Sequence, residues 1–129
     1  MFLPYSYDKA KPDHFEYKPV TGNLSIKVGT ALAFSSGKLA IASGTTKPEY
    51  ISMTEIPATT AGEDIAVIRV GDDTVYETEL SAASTGIALG AKYTIDASGE
   101  KITATTSGGV AEVVSYDGTA AGSKVRVRF

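Results

Sequence analysis

Apolar and polar residues alternate along most of this chain in short runs, and nearly every run ends at glycine or a small polar residue. Successive side chains of a strand point to opposite faces, so a period of two predicts short β-strands. Residues 23–28 place Leu24, Ile26 and Val28 on one face. Residues 31–34 and 38–42 flank Ser35-Ser36-Gly37, a hairpin with Gly supplying the positive φ of its loop. Tyr50, Ile51 and Met53 form a brief strand after Pro48. Residues 65–70 are almost continuously apolar, the pattern of a strand buried on both faces. Residues 75–80 follow the tight turn Gly71-Asp72-Asp73, and residues 92–96 and 101–105 flank Ala97-Ser98-Gly99-Glu100 as a second hairpin. Residues 110–116 and 124–129 flank a longer Gly/Ala loop. The last run alternates strictly, with Val125, Val127 and Phe129 on one side and Lys124, Arg126 and Arg128 on the other. One segment departs from this pattern: residues 81–86 could make a helical turn capped by Ser81 and stopped by Gly86.

The first 21 residues read differently. They hold five aromatics (Phe2, Tyr5, Tyr7, Phe15, Tyr17), three prolines (Pro4, Pro12, Pro19) and the charges Asp8, Lys9, Lys11, Asp13, Glu16 and Lys18. Prolines so spaced block a helix and predict an extended segment. The expected organisation is thus an extended N-terminal arm over 1–21 and one all-β domain over 22–129. That domain is a small barrel or sandwich of about eight short antiparallel strands.

Composition supports a structural role more than a chemical one. At 129 residues the chain makes one domain that buries roughly two-thirds of its unfolded surface. Gly, Ala, Ser and Thr make up 57 of the 129 residues, which suits tight turns and close strands. A net charge of −3 argues against nucleic acid as a partner. No apolar run is long enough to span a membrane, and the N-terminus lacks a secretory pattern. The expectation is a protein used where it is made. With no cysteine, disulfides and thiolate metal sites are excluded, and the single histidine, His14, excludes paired-His zinc. No cofactor or metal is expected.

Candidate chemistry is sparse. His14 lies in the arm, a poor place for a catalytic base, which needs a rigid position and an orienting partner. Glu63-Asp64 and Asp72-Asp73 read as turns, lacking the ligand spacing of a calcium loop. Glu77 and Glu79 share one strand face, most simply the solvated one. Gly108-Gly109 and Gly86-Ile87-Ala88-Leu89-Gly90 lack the Lys-Ser/Thr pair of a phosphate loop. Lys124, Arg126 and Arg128 form a basic stripe, suited to protecting an edge or docking on an acidic partner.

Several segments resemble the small capsid decoration, or cement, proteins of tailed bacteriophages. They are Val28-Gly29-Thr30-Ala31-Leu32, Ser36-Gly37-Lys38-Leu39-Ala40 and Ala42-Ser43-Gly44-Thr45-Thr46-Lys47-Pro48. They continue with Ile65-Ala66-Val67-Ile68-Arg69-Val70, Leu89-Gly90-Ala91-Lys92-Tyr93 and Gly122-Ser123-Lys124-Val125-Arg126-Val127-Arg128-Phe129, so the likeness spans 28–129. The resemblance implies a non-enzymatic virion protein, assembled in the host cytoplasm onto the outer capsid surface. It would bind the major capsid protein, often as a homo-trimer, and lock neighbouring subunits against the pressure of packaged DNA. Family members dock largely through an extended terminal segment, for which 1–21 would be the equivalent here. Aromatic residues dominate interface energies, so Phe2, Tyr5, Tyr7, Phe15 and Tyr17 are the candidate contacts, with Arg126 and Arg128 behind them. On this reading, removing 1–21 leaves the β domain folded and abolishes docking. The alternatives are a carbohydrate-binding module with Tyr50, Tyr76, Tyr93 or Tyr116 as a flat platform, and a head–tail joining or tail component. A hydrolase would need His14 in a pocket with a carboxylate and a hydroxyl.

Overall fold

The computed structural model describes residues 1–7 and 14–129; the sequence features at Asp8, Lys9, Lys11, Pro12 and Asp13 lie outside them. The described residues form ten strands and no helix. In chain order these are β1 (Leu3–Tyr7), β2 (Phe15–Pro19), β3 (Ala31–Ser35), β4 (Lys38–Ile41) and β5 (Tyr50–Ser52). They continue as β6 (Asp64–Arg69), β7 (Thr74–Glu79), β8 (Lys92–Tyr93), β9 (Ala111–Tyr116) and β10 (Lys124–Arg128). Every ladder between them is antiparallel.

Two five-stranded sheets result, one in the order β1-β7-β10-β9-β8 and the other β2-β6-β5-β3-β4. They do not close on one another, so of the two expected architectures the molecule is a sandwich and not a barrel. The first sheet turns Tyr76, Val113, Val125, Val127 and Phe129 inward, and the second meets them with Ala31, Ala33, Ile51 and Ile68.

The second sheet is buried on its other face as well. Alternate residues of the same strands, Leu32, Tyr50, Ile65 and Val67, join Val20, Ile26 and Leu39 in a separate apolar cluster. β6 thus divides its side chains between two cores, as the almost continuously apolar run 65–70 predicts. One parallel bridge, Val20 to Leu39, joins the chain just after β2 to β4.

The hairpin β3–β4 closes through Ser36 (φ 51°) and Gly37 (φ 80°), the paired left-handed conformations of a two-residue loop that follows strand twist. The second predicted hairpin forms as well: its branches share the antiparallel bridge Ile95 to Ile102, and backbone hydrogen bonds run from Asp96 N to Lys101 O, Thr103 N to Thr94 O and Thr94 N to Thr105 O, each 2.9 Å. Side chains complete it: Asp96 Oδ1 accepts the amides of Glu100 (3.1 Å) and Lys101 (3.0 Å). Residues 23–28 form no ladder strand, only the bridge Ile26 to Ile56, although Ile26 is buried as the alternation requires. The helical turn expected at 81–86 is absent, because Ser81 donates its amide to Ile102 O (2.8 Å) and continues a parallel bridge from Leu80.

Both described pieces of the segment 1–21 lie in the sheets. β1 borders the first against β7, and β2 borders the second against β6. They supply the strands beyond the eight expected.

Candidate interaction surface

The N-terminal aromatics divide by environment. Phe2 is fully buried: its amide donates to Gly29 O (2.8 Å), and its ring packs edge-on against Phe129 at 5.2 Å, with Tyr76 beyond at 5.5 Å from Phe129. This ring serves the core. Tyr5 is 59% exposed, at a register shift between Pro4 (opposite Tyr76) and Ser6 (opposite Val75). For Tyr7 only the backbone is described, paired with Thr74.

Phe15 and Tyr17 stand on one face of β2, opposite Ile68 and Ala66, and are 61% and 66% exposed. Between them Glu16 points the other way and takes both Nε and Nη2 of Arg69 at 3.1 Å. Arg69 lies over the ring of Tyr50 at 5.0 Å, and Tyr50 meets Phe34 edge-on at 5.7 Å. The polar face of β2 is thereby fixed, while its aromatic face is open. His14, just before β2, is exposed. The structure places Tyr5 on the border of one sheet and Phe15 with Tyr17 on the border of the other.

The basic stripe lies on β10, the middle strand of its sheet, and so does not protect an edge. Arg126 is only 16% exposed at its side chain. Its Nε donates to Glu77 Oε2 (2.9 Å), and its two terminal nitrogens grip Asp117 at 2.5 and 3.1 Å. The guanidinium also lies over the Tyr5 ring, 5.1 Å from its centroid. Arg128 is half-buried, opposite Glu112 on β9. Lys124 binds Glu79 at 2.9 Å, and Lys101 approaches the same carboxylate at 3.5 Å. These cations hold the Glu79 and Asp117 carboxyls below their ordinary range, and Arg69 does the same for Glu16. The outer face of the first sheet is therefore an internally paired ionic ladder. Tyr5 caps it through Arg126, a contact between residues far apart in sequence that no local pattern announces.

The surface depressions are shallow. One of about 290 Å³ is lined by Lys47, Pro48, Glu49, Arg69, Val70 and Asp72, a set with no nucleophile beside a base. Among the described residues no three His, Asp or Glu side chains converge as metal ligands, and no helix is long and apolar enough to cross a membrane. Of the tyrosines considered as a sugar platform, Tyr50, Tyr76 and Tyr93 are buried and only Tyr116 is exposed. Compared with known proteins, the chain matches no family model and no curated sequence.

Proposed function

We propose that this protein is a non-enzymatic virion component that binds the outside of a phage capsid and cements neighbouring major capsid protein subunits. The observation that carries the reading is the pair Phe15 and Tyr17, two large rings left open on a border strand whose opposite face is locked by Glu16 and Arg69. Rings held on a rigid strand lose little freedom on docking, which favours them as anchors. The segmental resemblance to decoration proteins supplies the partner class. On the shell the protein acts as a homo-trimer, and its action is mechanical: each copy bridges adjacent coat subunits and raises the barrier to their separation. A standard interface of about 800 Å² per partner is within reach of a domain this size, and repetition over the shell multiplies modest contacts.

The test is co-sedimentation with expanded shells of the cognate coat protein. Wild type is expected to bind saturably at a fixed ratio to coat subunits, and Phe15→Ala with Tyr17→Ala to lose binding while remaining folded. Unchanged binding by that double variant removes β2 as the docking element. No binding by wild type removes the decoration role.

A further inference from the structure

The turn from β9 to β10 begins with Asp117-Gly118, the one Asp-Gly pair in the sequence, which contains no Asn-Gly. Glycine offers no side chain to shield its backbone nitrogen, so in a free chain this pair is the most prone to close on itself. The Gly118 nitrogen, its proton released to solvent, attacks Asp117 Cγ. A nitrogen–carbon bond forms, one Cγ–oxygen bond breaks, and that oxygen departs as water, leaving a five-membered succinimide. Water then adds at either ring carbonyl. One opening restores aspartate; the other leaves the chain running through Cβ as isoaspartate. Nothing is oxidised or reduced, and the final mass is unchanged.

The fold opposes each requirement of this closure. Cγ must swing toward Gly118 N, yet both carboxylate oxygens are held by the fork of Arg126 (2.5 and 3.1 Å), itself anchored to Glu77 at 2.9 Å. The residue's own backbone is tied by its amide to Lys124 O at 2.9 Å. The departing oxygen leaves most readily from a neutral carboxyl, and the guanidinium keeps this one ionised. Asp117 is otherwise open to water, its side chain 56% exposed, so burial does not protect it.

We infer that Asp117-Gly118 is a latent site of spontaneous isoaspartate formation, and that Arg126 acts as its guard by fixing the Asp117 carboxylate on the outer face of β10. The chemistry is independent of the proposed capsid role. Once formed, isoaspartate adds a backbone carbon to the turn and draws the carboxylate from Arg126, which loosens the guanidinium under Tyr5. The site would therefore couple chemical ageing to the border strand β1.

The test ages four samples side by side in mildly acidic buffer: folded wild type, wild type in urea, Arg126→Gln and Arg126→Lys. Isoaspartate at 117 is read by peptide mapping with electron-transfer fragmentation, which separates isomers of equal mass. Folded wild type should isomerise severalfold more slowly than the same chain in urea. Arg126→Gln, confirmed folded by its urea transition, should approach the unfolded rate. Arg126→Lys, with a point charge and no fork, should fall between. Equal rates for folded and unfolded wild type overturn the inference however the variants fold. A folded Arg126→Gln that isomerises as slowly as wild type removes the guard.

Discussion

Gly29 decides whether the N-terminal segment can dock. Its φ of 91° lies in the left-handed region, and a Cβ there would fall 2.2 Å from Met1 Cγ and 2.9 Å from the Phe2 nitrogen. The clash with a flexible Met side chain can relax; the approach to backbone cannot. Gly29→Ala should therefore cost at least about 1–2 kcal/mol from backbone strain alone. Phe2→Ala empties a fully enclosed site between Gly29 and Phe129 and should cost about 3–5 kcal/mol. Urea titration checks both, as a lower midpoint with an unchanged slope. Loss below 1 kcal/mol for Phe2→Ala would mean that its ring is dispensable to the core. Sequence alone marks Phe2 and Phe15 as equivalent aromatics in one Pro-containing segment. Only the pairing of β1 with β7 and β2 with β6 separates the buried ring from the open one.

At the scale of elements, the strands that were legible are those whose side-chain environment follows from their own residues. The strict alternation of β10 and the apolar stretch Ile65-Ala66-Val67-Ile68 within β6 each state which faces are covered. β1 and β2 were not legible as sheet members, because Pro-containing border strands look like any extended segment and their partners lie 45 to 74 residues away. The ionic ladder on β7 and β10 and the Glu16–Arg69 pair between β2 and β6 have the same non-local origin, and together they make a pH prediction. Glu16, Glu79 and Asp117 have their carboxyls lowered in the folded state, first by hydrogen bonds from Arg69, Lys124 and Arg126 respectively. Their contribution is present above the ordinary carboxylate range, near about pH 4, and is lost as pH falls through the lower folded values. These groups are open to solvent, so the loss is modest and salt-screened. The urea midpoint should drop between neutral pH and pH 3 at low salt, and drop less at high salt. A midpoint insensitive to both would show the ladder to be energetically silent.

For the whole molecule, the boundary at residue 21 carries the largest consequence. A detachable arm could be removed without loss of the domain, but the described parts of 1–21 contribute one border strand to each sheet. Phe2 and Val20, both fully buried, lie in different apolar clusters. Removing 1–21 takes both out at once, opens β6 and β7 along their lengths, and breaks the single bridge from Val20 to Leu39. The two core side chains alone are worth on the order of 5 kcal/mol, comparable to the whole stability of many domains this size. The truncated chain should therefore lose its cooperative urea transition, and its failure to bind capsids would say nothing about docking. Retention of a cooperative transition by the 22–129 fragment would instead mean that the remaining strands suffice, and would return the segment to the role of a separable clamp. Surface substitutions on β2 test the proposed interface without touching either core, because Phe15 and Tyr17 are open while the same strand's Glu16 already has its partner.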